Sequence, residues 1–342
     1  MTHQAATPVL VSVCIANYDG IDVIDACLQS VLAQEGIFNL EVIVHDDRSN
    51  DDSLNHVRDA YPTVTLISSE LNVGYCISNN RMAAAAKGEY LLLLNNDATL
   101  FPDAIDTLLK EAIRLGQPAI LTLPQYDAGT GELLDMGSRL DPFLNCIPNE
   151  TSASADVGMV AGACLWIDRV LWEKLGGFPF WFGSLAEDLF LCCYARRCGY
   201  PVRALSVSGY RHRVGFSFGG GKTTNGRLAT SFTRRALSER NKTFVILMCY
   251  PSPIMQVVLP FHVLMLLVEG LLLSLLKRNF SFLEKIYWPV VPALWQERRS
   301  LCKTRSAVSK DAACTTSNFF AVFSWFPRKL TMLIRHGLPT VR

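Results

Sequence analysis

The chain has 342 residues, 50% of them hydrophobic and 18% charged, with a formal net charge of +1. That composition supports a sizeable core, excludes global disorder, and supplies no basic field of the kind a nucleic-acid partner requires. The eleven cysteines are scattered, without a CxxC pair or regular spacing, which predicts reduced thiols in a cytosolic protein rather than a disulfide framework or zinc site.

The opening segment MTHQAATPVLVSV has no basic stretch leading into a long apolar run, so no cleaved signal peptide is expected. Residues 9–16 (VLVSVCIA) predict a first strand, followed by a turn at Asn17-Tyr18-Asp19-Gly20. Ile21, Ile24, Leu28, Val31 and Leu32 have helical spacing within residues 21–34. A strand over 40–45, a helix over 53–60, a strand over 63–68 and an alanine-rich helix over 76–87 follow, with Gly88 expected to cap that helix. A strand over 90–94 completes a β-α-β-α-β-α-β series. Its nearly continuous apolar strands predict a mostly parallel sheet covered on both faces.

A helix over 102–115 and a strand over 118–123 come next. Residues 124–156 are Gly/Asp/Pro-rich without clean periodicity and read as an insertion or lid. A return strand is expected over 157–167, a short helix over 168–175 ending at Gly176-Gly177, and a helix from Glu187-Asp188 to Arg197 near Gly199. Residues 201–208 predict a further strand and 215–226 a Gly-rich loop.

Three acidic stations stand out. Asp46-Asp47 ends the run LEVIVHDD, Asp97 ends EYLLLLNND, and Glu187-Asp188 lies in FPFWFGSLAED. Carboxylates at the ends of buried strands are costly unless a cation, a donor or a reaction offsets them, and strand ends are where open α/β sheets bind ligands. Asp46-Asp47 could be a solvated turn, or could accept from a base N–H or ribose hydroxyl. Ser49, Asn50 and Asp51 are positioned to cap the next helix. Asp97 reads as a helix N-cap or as a Mg²⁺ or Mn²⁺ ligand shared with substrate phosphates. Glu187-Asp188 reads as an acidic first helical turn or as a general base beside a sugar pocket. His212, in YRHRVGFS, is either a structural histidine or a third metal ligand or diphosphate contact.

Composition shifts near residue 253. The run 254–276 is long enough to span a bilayer but contains Pro260, His262 and Glu269. Lys277, Arg278, Arg298, Arg299, Lys303 and Arg305 flank or follow it, and a second apolar-basic stretch covers 319–337. Three readings stay open: an interfacial amphipathic anchor, a transmembrane helix, or helices packed on the preceding domain. A mid-span glutamate disfavours spanning, and neighbouring aromatic and basic residues favour the interface.

Taken in order, these segments resemble the family-2 glycosyltransferases with a GT-A fold, over residues 9–250. VSVCIANYDG is similar to the family's VSVVIPTYN, and EVIVHDDRSNDDS to E-I-I-V-V-D-D-x-S-x-D. NVGYCISNNRMAAAAKGEYLLLLNND resembles the stretch that ends in the family's DxD motif. GGFPFWFGSLAEDLFLCCYARRCGY resembles its G-G-F-D-E…E-D-x-D-L-x-x-R…G-Y, RHRVGFS its H-x-x-G-x-S, and SERN (238–241) its trailing R-N.

The resemblance implies a Rossmann-like GT-A catalytic domain over 1–250 and a C-terminal helical region over 251–342, a candidate membrane-surface anchor. It implies that Ala16, Tyr18, Asp46 and Asp47, with Asn95 and Asn96 from the DxD position, bind the nucleotide-diphospho-sugar. Asp97 and His212 would hold Mg²⁺ or Mn²⁺, and Asp188, with Glu187, would be catalytic. The implied reaction is inverting transfer from a UDP- or dTDP-sugar to a glycan or lipid-linked acceptor in bacterial surface polysaccharide synthesis, such as O-antigen or capsule. A rhamnosyltransferase-like member, peripheral on the cytoplasmic face of the plasma membrane, fits the pattern. Asn95 replaces the first DxD acid, Phe190 and Tyr194 occupy the usual Asp and Arg positions, and Pro179-Phe180 replaces D-E. These departures leave room for a catalytically impaired glycan-binding or scaffold protein. A nucleotidyltransferase would need a Gly-rich basic loop after the first strand, which IANYDG lacks.

Overall fold

The computed structural model describes residues 9–150, 155–213, 223–224, 227–337 and 340–341. In chain order the first half runs β1 (Val9–Asn17), α1 (Ile24–Leu32), β2 (Phe38–Asp46), α2 (Ser53–Ala60), β3 (Thr65–Ser68), α3 (Tyr75–Ala85), β4 (Tyr90–Asn95), β5 (Ala98–Leu100), α4 (Ala104–Leu115) and β6 (Ile120–Thr122). Then come β7 (Gln125–Asp127), β8 (Leu133–Asp135), β9 (Arg139–Leu140), β10 (Cys146–Ile147), β11 (Cys164–Asp168), α5 (Arg169–Leu175), α6 (Glu187–Arg197), β12 (Val202–Ala204) and β13 (Tyr210–His212). A small ribbon, β14 (Thr223–Thr224), β15 (Arg227–Thr230) and β16 (Thr340–Val341), joins the chain's last residues to the segment before α7 (Phe232–Cys249). The remaining helices are α8 (Ser252–Leu276), α9 (Val290–Gln296), α10 (Arg298–Lys310), α11 (Thr316–Phe320) and α12 (Arg328–His336), with a π-helical turn at Leu283–Tyr287.

The central sheet has seven strands in the order β12-β6-β11-β4-β1-β2-β3. Strands β4-β1-β2-β3 are parallel, as the apolar runs predicted, because helices cover both faces and leave no polar side to alternate. Strand β11 is antiparallel to both neighbours. It starts only at Cys164, so the strand expected over 157–167 is shorter than its apolar run; residues 157–163 are irregular apart from a bridge between Ser138 and Met159.

Two further expectations are corrected. Gly88 does not cap α3, whose C-cap is Ala86. Gly88 is instead a close approach: its N–H donates to Ser12 Oγ (2.9 Å), and a Cβ there would fall 2.6 Å from that oxygen. Nor is 124–156 simply an irregular lid. Its β7 and β8 join β5 and β13 in a second sheet, ordered β5-β13-β7-β8. These strands are each three residues long, too short for a period to register in sequence. The Gly-rich loop expected over 215–226 lies outside the described residues apart from Thr223–Thr224.

Of the C-terminal helices, α10 and α11 join the main core, while α8, α9 and the Leu283–Tyr287 turn pack in a smaller cluster of their own around Leu266, Leu273, Ile286, Tyr287 and Val290. Leu301, Val308, Phe319, Phe320 and Phe323 pack in the same cluster as sheet residues Ile43, Leu93 and Ile120. Phe190 and Tyr194, the departures from the E-D-x-D-L-x-x-R pattern, belong to this packing. Phe190 meets Phe182 and Tyr194, and the Tyr194 hydroxyl donates to Asp311 Oδ2 (2.8 Å) just past α10. Tyr194 thus fastens the C-terminal region, and Phe190 packs beside it in the core.

Candidate active site

The site forms where β1, β2 and β4 end side by side. Asn17, at the end of β1, is buried and acts as a hub. Its Nδ2 donates to Asp46 Oδ1 (3.0 Å) and Ser53 Oγ (2.9 Å), and its Oδ1 accepts from Asn96 Nδ2 (2.8 Å). Gly20 closes over this pair; a Cβ there would fall 2.1 Å from Asn17 Oδ1. Asp46 also accepts from the N–H (3.0 Å) and hydroxyl (2.6 Å) of Ser49. Asp46 and Asn96 are therefore engaged in holding strand ends and the 47–53 loop together. Asp47 accepts Val73 N–H on one oxygen (2.6 Å) and Gly74 N–H on the other (2.8 Å), fixing the loop into α3. Ala16 is half-buried between its β-sheet partners His45 and Asn95, and Tyr18 is 47% exposed at the rim.

Asp97 follows β4 and precedes β5, and the second sheet pairs Ala98 with His212. That register brings His212 Nε2 to 3.1 Å from Asp97 Oδ1. The contact lacks hydrogen-bond geometry, so Oδ1 is a buried oxygen without a hydrogen-bond partner. Asn95 Nδ2 lies 3.5 Å from the same imidazole nitrogen, and Gln125 Nε2 lies 3.2 Å from its Nδ1. An unsatisfied buried carboxylate oxygen beside an imidazole fits a divalent cation that takes its other ligands from phosphate oxygens and water. Among the described residues no group of three or more His, Cys, Asp or Glu could hold a metal ion, so the two-residue set depends on such outside ligands.

A polar line runs from this end to the third station. The Tyr75 hydroxyl sits 3.2 Å from Asn95 Oδ1 and 3.0 Å from Gly162 O. Gly162 N–H donates to Asp188 Oδ2 (3.0 Å), and Leu189 N–H to Asp188 Oδ1 (2.7 Å). Asp188 is half-buried and Glu187 only 6% exposed, and Glu187 Oε2 has no hydrogen-bond partner. Burial raises both carboxyls above their ordinary range; the charge of Asp188 lifts Glu187 further, and Arg234 pulls both partly back. Two backbone N–H donors favour the charged form of Asp188, whereas Glu187 Oε2 has no donor, so a single charge on the pair is best held at Asp188.

The sequence pattern did not single out Asn17, Tyr75 or Arg234. Tyr75 follows Asn72-Val73-Gly74, and its place next to a loop glycine was the available signal. Asn241 was visible only as the end of SERN. Its Nδ2 lies 2.7–3.2 Å from the carbonyls of Phe182, Ser184 and Leu185. That grip holds Leu185 and Ala186 in left-handed conformations (φ 70° and 65°) immediately before Glu187. Two consecutive non-glycine residues there carry backbone strain, persisting only where the surroundings over-determine it. Replacing Asn241 by Ala is expected to destabilise the protein by about 1–3 kcal/mol and to open the 182–186 loop to proteolysis, measurable by thermal melts and limited digestion.

Sheet, strand-end site and flanking helices together define a GT-A glycosyltransferase fold. The chain aligns with GalNAc-T7, solved with UDP, GalNAc and Mn²⁺, at TM-score 0.63 and 14% identity, over 98% of this chain and 59% of that one. It aligns with residues 1–349 of S. aureus TarS, solved with UDP, at TM-score 0.52 and 15% identity, over 91% and 89%. Residues 12–175, just under half of the chain, match the model for Glycosyl transferase family 2. Curated relatives include a chondroitin synthase of Pasteurella multocida (34% identical over 108 residues, 31% of this chain and 11% of that protein). Another is the succinoglycan biosynthesis protein ExoO of Rhizobium meliloti (33% over 105 residues, 30% and 29%). The matched stretch is thus under a third of the length of either relative.

Proposed function

We propose that this chain is an inverting glycosyltransferase acting in cell-surface polysaccharide synthesis, such as O-antigen or capsule. The donor is a UDP- or dTDP-sugar and the transferred unit a hexose or rhamnose-like deoxyhexose. The acceptor is a glycan or lipid-linked saccharide, met at the cytoplasmic face of the plasma membrane by the 251–342 anchor. The observation that carries the reading is the polar line from Asp97 and His212 through Asn95, Tyr75 and Gly162 to Asp188.

In this reading Ala16, Tyr18 and Asp47 bound the nucleoside pocket, while Asp46, Asn95 and Asn96 shape its floor. Asp97 and His212 would hold Mg²⁺ or Mn²⁺, which neutralises the diphosphate leaving group when bound. Asp188 takes the proton of the acceptor hydroxyl as its oxygen bonds to the anomeric carbon, and the bond from that carbon to the diphosphate oxygen breaks. Glu187, neutral beside it, keeps the base a single anion. The scaffold alternative drew on Asn95, Phe190 and Tyr194, and the packing of Phe190 in the core and of Tyr194 against Asp311 gives two of these a structural reason.

Thermal-shift screening of nucleotide-sugars with and without Mn²⁺ tests the proposal. One nucleotide class at 100-fold over its Kd should stabilise the protein by about 2.7 kcal/mol, and Asp97→Ala should abolish the Mn²⁺-dependent part. Wild type indifferent to every nucleotide-sugar and to metal would overturn the assignment.

A further inference from the structure

Helix α8 is amphipathic in reverse. Between Val257 and Leu276 its only polar side chains are His262, Glu269 and Ser274, and all three engage protein. His262 is buried, with Nε2 3.0 Å from the Thr243 hydroxyl, and Ser274 Oγ accepts Leu283 N–H (3.1 Å). Glu269 accepts from Arg235 (2.6 Å), Lys329 (2.7 Å) and the Tyr287 hydroxyl (2.8 Å). Leu266, Gly270 and Leu273 are buried on the same side. The opposite side presents Val257, Phe261, Leu264, Val268, Leu271 and Leu275, spaced as one helical face and each at least 38% exposed. A stripe of that length with no charge on it is not a water-facing surface.

We infer that this face of α8 is a bearing that lies in the plane of an anionic bilayer surface and does not cross it. The inference rests on the peripheral location proposed above and gives it a surface. A crossing helix of this length (Ser252–Leu276, mean hydropathy 2.1) would need hydrocarbon or other apolar helices around it. Here the inward half is occupied by α7 and the Leu283–Tyr287 turn through hydrogen-bonded charges. The segments that follow the stripe expose the residue types of a headgroup layer. Exposed Lys277 and Arg278 end α8, Arg298 and Arg299 open α10, and Arg298 lies 4.4 Å over the ring of the exposed Trp295. Trp288 and Trp325 are also exposed, and tryptophan beside basic residues is the composition of a membrane interface. A second copy would bring these cations against their like, whereas anionic lipid complements them.

Flotation of the 342-residue chain with vesicles tests this without donor or acceptor, so its outcome is independent of the glycosyltransferase assignment. The protein should float with phosphatidylcholine–phosphatidylglycerol vesicles, more weakly in high salt, and be released by alkaline carbonate. The doubly substituted variant Leu264→Glu, Leu271→Glu should lose vesicle partitioning by roughly tenfold or more while keeping its thermal midpoint. Wild-type tryptophan emission should shift to the blue on adding the same vesicles, a reading that needs no variant. Absence of both flotation and the emission shift would overturn the inference. So would retention after carbonate, or a vesicle-free dimer that the double variant dissociates.

Discussion

Asp188→Asn is expected to lower turnover by roughly 10²–10⁴-fold with donor binding retained, because positioned proton transfer contributes about that much. The asparagine keeps the shape but has one acceptor oxygen, so it can accept from only one of the Gly162 and Leu189 N–H groups, and it cannot take the acceptor's proton. Wild-type activity should also fall on acidification at a pH above the ordinary aspartate range, since burial raises the Asp188 carboxyl and its two backbone donors only partly offset that. Glu187→Gln separates the two acids. If Glu187 is the neutral member of the pair, the amide should keep activity within about tenfold of wild type, far above Asp188→Asn. The stability readout has a definite sign. A carboxyl raised on folding contributes stability that is full below its unfolded pKa and is lost as pH rises through the folded value. Wild type should therefore lose stability with rising pH above the usual glutamate range, and Glu187→Gln should flatten that slope. Kinetics across pH and paired thermal melts read both effects. Equal activity of Asp188→Asn and wild type would remove Asp188 from the base role.

The parallel half of the sheet was legible because each strand is a continuous apolar run joined by an amphipathic helix, a pattern set by burial on both faces. The ends of those runs drew attention to Asp46, Asp47 and Asp97 for the same reason. What the runs could not show is how differently those acids are used. Asp46 is engaged by Asn17 and Ser49, Asp47 by the 73–74 loop, and Asp97 Oδ1 by no hydrogen bond, with only His212 Nε2 beside it. That division depends on loop geometry, to which local sequence is nearly blind. The pairing of Asp97 with His212 was unreadable for another reason. It is set by the register of three-residue strands more than a hundred residues apart in the chain, and elements that short carry no period. In the C-terminal region hydropathy alone could not choose among spanning, lying and packing. Packing of Glu269 and His262 against α7 separates the polar from the apolar side of the same helix.

Glu239→Gln should be the most damaging single substitution outside the catalytic residues, costing about 3–5 kcal/mol. Glu239 is buried on α7 within 3.0 Å of Lys242 Nζ and 2.7 Å of Lys329 Nζ. Burial alone would raise its carboxyl, but Lys242, Lys329 and Arg235 outweigh burial and hold it well below the ordinary glutamate range. The neutral amide would leave the buried Lys242 ammonium with only Asn145 Oδ1 (2.6 Å) as a close acceptor, and an uncompensated buried cation is what makes breaking such a pair expensive. Lys329→Met should cost less, because a third of that side chain reaches solvent and screening weakens its share. The acid dependence follows with the opposite sign to Glu187. A depressed carboxyl contributes stability that is present above its unfolded pKa and lost as pH falls toward the folded value, so acid should loosen this junction first. Since Lys329 is on α12, Glu239 on α7 and Glu269 on α8, the loss should appear as faster amide exchange in α12 and along the inward side of α8, ahead of the central sheet. The same α7 carries Asn241 one half-turn further on, so protection at 182–186 should fall in the same variant. Uniform loss of protection across all elements would instead make the network a contributor to global stability with no special role in seating the C-terminal helices.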